Sequence, residues 1–300
     1  MTKVASSALC LIALFAILAP NRADAQSRYV TWVADGDRVW SAWLVADDEA
    51  TYEVVAEREG LWLGSPDGLW EATEVARPGR ELFCQCEGWD GFSEPPDACI
   101  YDVPVVTPGL VHLDDGIDLR ADADAADLTT WGQSHRSWTL RGTVGPLVFL
   151  ERCIDETACG SAHPSTTCRF ELWNIALQSP VPIDEIFDDG RVPDVLYDRA
   201  MAAFAARDGV HIEPGEVFAT AARVAWDAEG ALRLFVQFTM PASYADSDGS
   251  WSSYSRSLEL EAELPELLRT QRHTPDAVRG FWADRVAPGT QRGWSRIPAP

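Results

Sequence analysis

The sequence has almost no lysine: Lys3 is the only one in 300 residues, and it lies at the start of the chain. The rest of the protein therefore lacks the amine that forms Schiff bases or binds phosphate in a P-loop. The chain has no Gly-x-Ser-x-Gly motif, and none of its five histidines are paired at His-x3-His spacing. The sequence therefore offers no motif for an α/β-type serine hydrolase or a helix-borne zinc hydrolase.

Positive charge is also scarce. Lysine and arginine total 24 against 47 aspartates and glutamates, which gives a formal net charge of −23. Such a chain repels nucleic acid, because phosphate binding needs clustered cations. It attracts a cationic partner, and the rate of that encounter depends on salt. The alternative is that the acidity only keeps an exported protein in solution.

Long apolar runs are absent except at the start. Residues 1–25 combine the basic Lys3, an apolar run from Val4 to Ala19, and small residues at Ala23 and Ala25. These are the three parts of a cleavable secretory signal. The run is shorter than the roughly 20 residues that span a bilayer, although an uncleaved anchor is the alternative. We expect an exported, periplasmic or extracellular protein with no membrane span after cleavage.

Six cysteines remain outside the signal segment, and an even number in an exported chain predicts three disulfides. They are Cys84, Cys86, Cys99, Cys153, Cys159 and Cys168. Because they fall into two groups of three, at least one bridge must join the groups if all six are oxidised. The alternative is zinc, but the spacings do not fit the Cys-x2–4-Cys pairs of structural zinc sites.

The pairing is not fixed by the sequence, since six cysteines allow 15 pairings. Neighbours separated by one residue rarely bond, so Cys84–Cys86 is the least favoured bridge. We expect two local bridges and one between the groups, namely Cys86–Cys99, Cys159–Cys168 and Cys84–Cys153.

Short strands dominate the pattern along the chain. Hairpins are predicted over residues 60–75, around the turn at Ser65–Gly68, and over residues 217–238, around Asp227–Gly230. The best helix runs from Asp194 to Arg207, between Pro193 and Gly209. We therefore predict an α+β, β-rich fold of antiparallel strands with one main amphipathic helix and a short C-terminal helix.

The pattern of strands, cysteines and helices predicts three parts of the chain after the signal segment. Residues 26–135 form a Trp-rich antiparallel β region with a Cys-rich loop, residues 136–270 form a second module, and residues 271–300 form a short helix and a loose tail. The acidic segment 114–129 is expected to be a linker or solvated loop; a calcium loop is the alternative, although the Asp-x-Asp-x-Asp-Gly order is missing.

The second module resembles a known domain. Leu147–Glu151 and Phe170–Leu177 are two strands around Gly160-Ser161-Ala162-His163, and Ile183–Phe187 forms a short turn before the helix. An aromatic strand at 234–238, the Tyr-containing loop 244–249 and a last strand at 258–260 follow. This order is similar to that of the extracytoplasmic domain shared by lysozyme-sensing anti-sigma factors and some peptidoglycan deacetylases. In that family the module binds or senses, and any catalysis comes from a separate domain.

Three residues are candidates for binding: His163 and Tyr244 from the motifs of the resemblance, and Trp89, which lies in a Gly-rich loop and is expected to be exposed. A structural role for His163 in its turn is the alternative. The other tryptophans of the first region are expected in the core, and they are Trp32, Trp40, Trp43, Trp62 and Trp70. We predict no catalytic, cofactor-binding or metal-binding residue, and no cofactor.

The resemblance and the acidity together predict a non-enzymatic binding protein of the cell envelope, with a cationic protein such as a lysozyme as its partner. Two alternatives stay open. One is a protein that binds cell-wall glycan through exposed tryptophans. The other is a secreted hydrolase of a type that the sequence does not reveal.

Overall fold

The structure is a computed structural model. It describes residues 26–35, 38–47, 51–84, 86, 89, 96–119, 129–131, 133–157, 159, 163–209, 211–213, 215–285 and 290–297. The predicted signal segment 1–25 and most of the predicted acidic segment 114–129 lie outside these residues. Among the described residues, no helix has both the length and the apolar character needed to cross a membrane.

Strands make up most of the described chain. In chain order they are β1 (Ser27–Asp35), β2 (Arg38–Ala46), β3 (Tyr52–Glu59), β4 (Leu61–Ser65), β5 (Gly68–Leu82), β6 (Ile100–His112), β7 (Thr129–Trp131), β8 (Gln133–Val144), β9 (Leu147–Thr157), β10 (Ser165–Asn174), β11 (Ser179–Pro180), β12 (Phe218–Trp226), β13 (Leu232–Pro241), β14 (Ser255–Ala262) and β15 (Gln291–Ile297). They form four sheets. Both predicted hairpins are present, as β4–β5 and β12–β13.

Three α-helices accompany these strands in the described part of the chain: α1 (Asp194–Asp208), α2 (Glu266–Arg269) and α3 (Asp276–Ala283). The predicted fold class is therefore wrong as stated, because it allowed one main helix and one short C-terminal helix. The additional helix, α2, has four residues after Pro265 and is too short to produce an apolar period. The predicted main helix is α1, which ends at Gly209 with a positive φ of 68°.

The sheets are mostly antiparallel ladders, in the orders β15-β1-β2-β3, β4-β5-β6, β11-β10-β9-β8 and β12-β13-β14. One departure from the predicted antiparallel pattern is the short strand β7, which pairs parallel to β5. The β5–β6 pair is a long two-stranded ribbon that continues into the Cys-rich segment. Two 3-10 turns, Asp97–Cys99 and Ile183–Ile186, complete the described elements.

Two hydrophobic cores lie on opposite faces of β1 and β9. Tyr29 and Phe149 belong to the larger core, and Trp32 and Leu150 belong to the smaller one. Burial on both faces explains why these strands read as continuous apolar runs rather than as alternating ones. The larger core also includes Phe204 of α1, so it contains residues from both sides of the predicted boundary at residue 135. The division into domains stays a prediction.

The predicted loose tail is wrong, because residues 291–297 are strand β15, paired with β1 along its length. Trp294 is buried beside Tyr29, with ring centroids 6.1 Å apart. A Cβ at Gly293 would collide with the Trp32 indole and the Thr143 hydroxyl. Glycine therefore lets the last strand approach Trp32 of the smaller core closely. The partner strand is more than 250 residues away in sequence, so no local pattern could indicate the pairing.

Candidate functional site

Two of the sequence-predicted binding residues meet on the surface. The rings of His163 and Tyr244 are stacked, with centroids 5.3 Å apart and planes at 21°. Tyr254 lies beside them, with its ring centroid 6.0 Å from that of Tyr244. All three side chains are exposed, Tyr244 by 47% and Tyr254 by 58%. We call these three residues the aromatic patch, and it is the candidate binding site.

The loop 242–254, which carries both tyrosines between β13 and β14, is held by its own hydrogen bonds. Its ends are joined where the Ala242 amide donates to the Tyr254 carbonyl at 2.9 Å. The Ser243 hydroxyl donates to the Asp246 carboxylate at 2.6 Å, and the Ser247 hydroxyl lies 2.8 Å from the Ser252 carbonyl. Short polar side chains fold a loop in this way because they reach nearby backbone and side-chain groups. We call residues 242–254 the patch loop.

The patch loop also extends the third sheet. The Thr166 amide of β10 donates to the Ser253 hydroxyl at 2.8 Å, and the Ser253 amide donates to the Thr166 carbonyl at 3.1 Å. The Cys168 amide donates to the Trp251 carbonyl at 3.0 Å. His163 lies two residues before β10, so this backbone pairing brings it beside the patch loop.

Three disulfides link strands and the Cys-rich segment, and one of them joins β9 to β10 beside the patch loop. The bonds are Cys84–Cys159, Cys86–Cys99 and Cys153–Cys168. Of the predicted pairs, Cys86–Cys99 and the need for one bridge between the groups are confirmed. Cys159–Cys168 and Cys84–Cys153 are wrong, because the β9–β10 register places Cys153 directly opposite Cys168. Cys159 is thereby left to bind Cys84, which ties the end of the β5–β6 ribbon to the segment before His163.

An ionic network joins the patch to the end of α1. The Asp208 carboxylate lies 2.7 Å from Arg256 and 3.1 Å from Arg207. Arg256 also donates to the Asp246 carbonyl of the patch loop at 2.6 Å. Burial raises the pKa of the Asp208 carboxyl, but hydrogen bonds from the two arginines outweigh burial and leave that pKa below its ordinary value.

Carboxylates dominate the charge around this network. Asp248 accepts a hydrogen bond from the Ser257 amide at 2.6 Å and lies 3.7 Å from Arg207. Asp246, within the patch loop, is largely exposed and lies 3.6 Å from Arg256. Three aspartates thus face two arginines beside the patch, and the local charge has the sign of the whole chain.

The third candidate, Trp89, is half-buried rather than exposed. Its amide donates to the Cys86 carbonyl at 3.3 Å, beside the Cys86–Cys99 bond. The predicted core tryptophans divide: Trp32 and Trp70 are buried, Trp43 and Trp62 are half-buried, and Trp40 is exposed by 39%. Tyr254 was missed by sequence reasoning, although its position in a Ser-rich loop ten residues after Tyr244 was a usable signal.

Among the residues that the structure describes, one cluster of potential metal ligands is present, formed by Glu151, Cys153 and Cys168 on β9 and β10. Its two sulfurs form a disulfide, so they are not the thiolates that bind zinc. Glu151 is buried and forms an ion pair with Arg141. The cluster therefore has the chemistry of a structural ion pair beside a cross-strand bridge.

Comparisons with known proteins add little. No family model matches this chain, and no curated protein matches it. Among solved structures, it is similar to a DUF3298 family protein from Pseudomonas aeruginosa, with 13% identity over 69% of this chain and 96% of that chain. The TM-score is 0.31, and a likeness of this strength carries no argument. The resemblance of the second module to the anti-sigma and deacetylase domain stays a prediction.

Proposed function

We propose that this protein is an exported, non-enzymatic binding protein of the cell envelope, and that its aromatic patch engages a cationic protein such as a lysozyme. The observation that carries the proposal is the exposed ring cluster of His163, Tyr244 and Tyr254, in which His163 stacks on Tyr244, beside a network rich in carboxylates. The disulfides are in keeping with an oxidising compartment.

The chemistry of the patch suits arginine and lysine side chains. The face of a tyrosine ring attracts a cation, and tyrosine is among the residue types that contribute most to protein interfaces. Asp246 offers a carboxylate beside those rings. The net charge of −23 steers a cationic partner toward the protein from a distance, while the rings and Asp246 contact it at close range.

The resemblance supports the same surface. His163 comes from the predicted turn motif and Tyr244 from the predicted Tyr-containing loop, and 80 residues of chain separate them. Two motifs of one binding module are expected to meet if they act together, and these two rings are stacked.

The proposal is tested by measuring lysozyme binding to the purified, oxidised protein across a salt series. We expect binding that persists at high salt, because ring contacts and desolvated pairs are screened less than the overall charge. The substitutions Tyr244→Ala and Tyr254→Ala should each weaken it about tenfold, as for an interface residue of high contribution.

Tyr101→Ala is the matched control, because Tyr101 is exposed by 52% on β6 and is not part of the patch. It should leave the affinity unchanged. Binding that disappears at moderate salt would show charge attraction alone and would contradict the proposal, as would equal losses in all three variants.

A further inference from the structure

The imidazole of His163 is exposed and lies against the ring of Tyr244, with the two planes at 21°. Within the ranges that the structure describes, this imidazole makes no hydrogen bond and no ion pair. Two other histidines differ in this respect, since His112 and His211 each lie within 3.3 Å of a carboxylate. A positive charge on His163 therefore has no carboxylate partner in the described part of the chain.

The charged and titratable groups near His163 come from the patch loop, from β14 and from β9. They are Asp246, Arg256, Tyr244, Tyr254, Asp155 and Glu156. Asp246 lies 3.6 Å from Arg256, and the Asp155 carboxylate accepts a hydrogen bond from the Thr166 hydroxyl. Histidine is the side-chain type whose charge ordinarily changes between pH 5 and 8. Among these groups, His163 is therefore the one that changes the charge of the patch in that range.

The stack places the imidazole against one face of the Tyr244 ring. The face of an aromatic ring attracts a cation, so a protonated imidazole in this position makes that contact from within the protein. It also presents its own positive charge on the outer side of the stack. Both effects oppose the arginine or lysine side chain of a partner, and the neutral imidazole produces neither of them.

We propose that His163 makes the aromatic patch sensitive to pH: the patch binds a cationic partner while the imidazole is neutral and releases it when the imidazole is protonated. The inference rests on the proposed function, because it assigns a control to the same site. The chemical change is one proton taken from solvent onto the imidazole, and no covalent bond of the partner changes.

The direction of the effect follows from the charges. The formal net charge of −23 attracts a cationic partner at either pH, so protonation of one imidazole weakens only the contact at the patch. Repulsion between like charges at an exposed site is screened by salt, so the pH dependence should decrease as the salt concentration rises. A fall in affinity that begins below pH 5 has another cause, because carboxylates ordinarily titrate there.

The test measures lysozyme binding at pH 8 and at pH 5.5 for the wild type and for two variants at one position. His163→Phe keeps a ring beside Tyr244 without a charge. His163→Arg keeps a planar group there that is charged at both pH values. The titration of lysozyme itself is common to all measurements, so the proteins are compared by the ratio of their two affinities.

Between pH 8 and pH 5.5 the wild type should lose about fivefold more affinity than His163→Phe loses, as for one exposed pair of like charges. His163→Arg should bind weakly at both pH values, and its ratio should match that of His163→Phe. The additional loss of the wild type should shrink at high salt. Because His163 is exposed, thermal unfolding should show that both variants are as stable as the wild type.

His273→Phe is the matched control. His273 is exposed and pairs with Ala231 just before β13, whereas the patch loop follows the other end of that strand. This variant should reproduce the wild-type affinities at both pH values. No lysozyme binding at pH 8 would overturn the proposed function and this inference with it. Binding at pH 8 with equal losses in the wild type and His163→Phe would overturn this inference alone, as would a wild-type ratio in His163→Arg.

Discussion

The aromatic patch is assembled in the opposite way from a pocket of about 630 Å³ that lies where three of the four sheets meet, which we call the three-sheet pocket. Two of the patch's three rings lie in one loop of thirteen residues, 242–254, which folds on its own hydrogen bonds. The pocket collects residues from Ala34 to Gln291, on seven strands of three different sheets. The patch therefore depends mainly on local structure, whereas the pocket depends on the closure of the whole fold.

This difference explains what each region reveals in sequence. A Ser- and Asp-rich loop that contains tyrosines is visible as a motif, because its residues are neighbours in the chain. Trp138 and Gln291, which both line the pocket, carry no motif, because the packing of strands that are distant in sequence brings them together. The contrast also predicts which changes should affect both sites and which should affect one.

The largest effect is expected where the chain ends meet. Trp282 of α3 is 2% exposed, and its indole N–H donates to the Thr31 hydroxyl of β1 at 2.8 Å. Trp282→Ala should lower the free energy of unfolding by about 3–5 kcal/mol, through lost burial and the cavity left behind. Urea unfolding followed by fluorescence and by circular dichroism measures it.

Trp70→Ala on β5 is the matched core variant from the other side of residue 135, since Trp70 is 1% exposed in the smaller core and its indole N–H also donates to a hydroxyl, that of Ser65. If the chain folds as one unit, both variants should show a single transition with the same midpoint by both probes. Two transitions, with only one shifted by each variant, would support the predicted division at residue 135.

The next effect concerns the bridge between the two cysteine groups. Replacing Cys84 and Cys159 by serine opens a loop of 75 residues, whereas replacing Cys86 and Cys99 opens one of 13. In the chain-entropy model the first change should cost about 4.5 kcal/mol and exceed the second by about 1.5 kcal/mol. Thermal and urea unfolding of the two double variants test this order, and a reversed order would contradict it.

Much of the fold was readable from the sequence where neighbours decide the structure. The β12–β13 hairpin follows from Asp227 and Gly230 in its turn, and α1 from Pro193 and Gly209 at its ends. For the candidate site, the sequence predicted His163 and Tyr244 as two separate candidates. It did not predict that their rings stack on each other.

The failures share one physical cause, which is pairing over long distances in sequence. Strand β15 looks like a tail because its partner, β1, is at the other end of the chain. The disulfide pairs depend on the β9–β10 register, which places Cys153 opposite Cys168. Trp40 lies on the same face of β2 as the buried Ala42 and Leu44 but nearer the start of the strand, so its exposure depends on where along the strand the core ends, and composition does not show this.

A smaller effect is expected from the network that joins α1 to the patch loop. Asp208→Asn removes the charge that holds Arg256 and Arg207, and the patch loop should become less ordered. Lysozyme binding should weaken by no more than about fivefold, as for a partly exposed ion pair. Asp194→Asn, at the exposed other end of α1, is the control. A loss equal to that of Tyr244→Ala would mean that Asp208 contacts the partner directly.

The smallest expected effect is a change in how stability depends on pH. It compares a carboxyl held within one hairpin, Asp227, with a carboxyl held by a contact between distant elements, Asp208. Asp227 accepts hydrogen bonds within the β12–β13 hairpin, from the Ala231 amide at 2.8 Å and from Arg233. Burial raises the pKa of the Asp227 carboxyl, but the Ala231 and Arg233 hydrogen bonds outweigh it, so that pKa is also lowered. Asp208 has a lowered pKa for a tertiary reason, its contact with β14 through Arg256.

A carboxyl whose pKa is lower in the folded state stabilises the fold above its unfolded pKa of about 3.9, and this contribution is lost as the pH falls through the folded pKa. Both Asp227→Asn and Asp208→Asn should therefore flatten the fall in unfolding free energy below about pH 4 and leave its slope unchanged above pH 5. Only Asp208→Asn should also remove the acid sensitivity of lysozyme binding, because Asp227 lies in a hairpin turn that makes no contact with the patch among the described residues. If both substitutions removed it, the patch would depend on the wider fold, as the three-sheet pocket does.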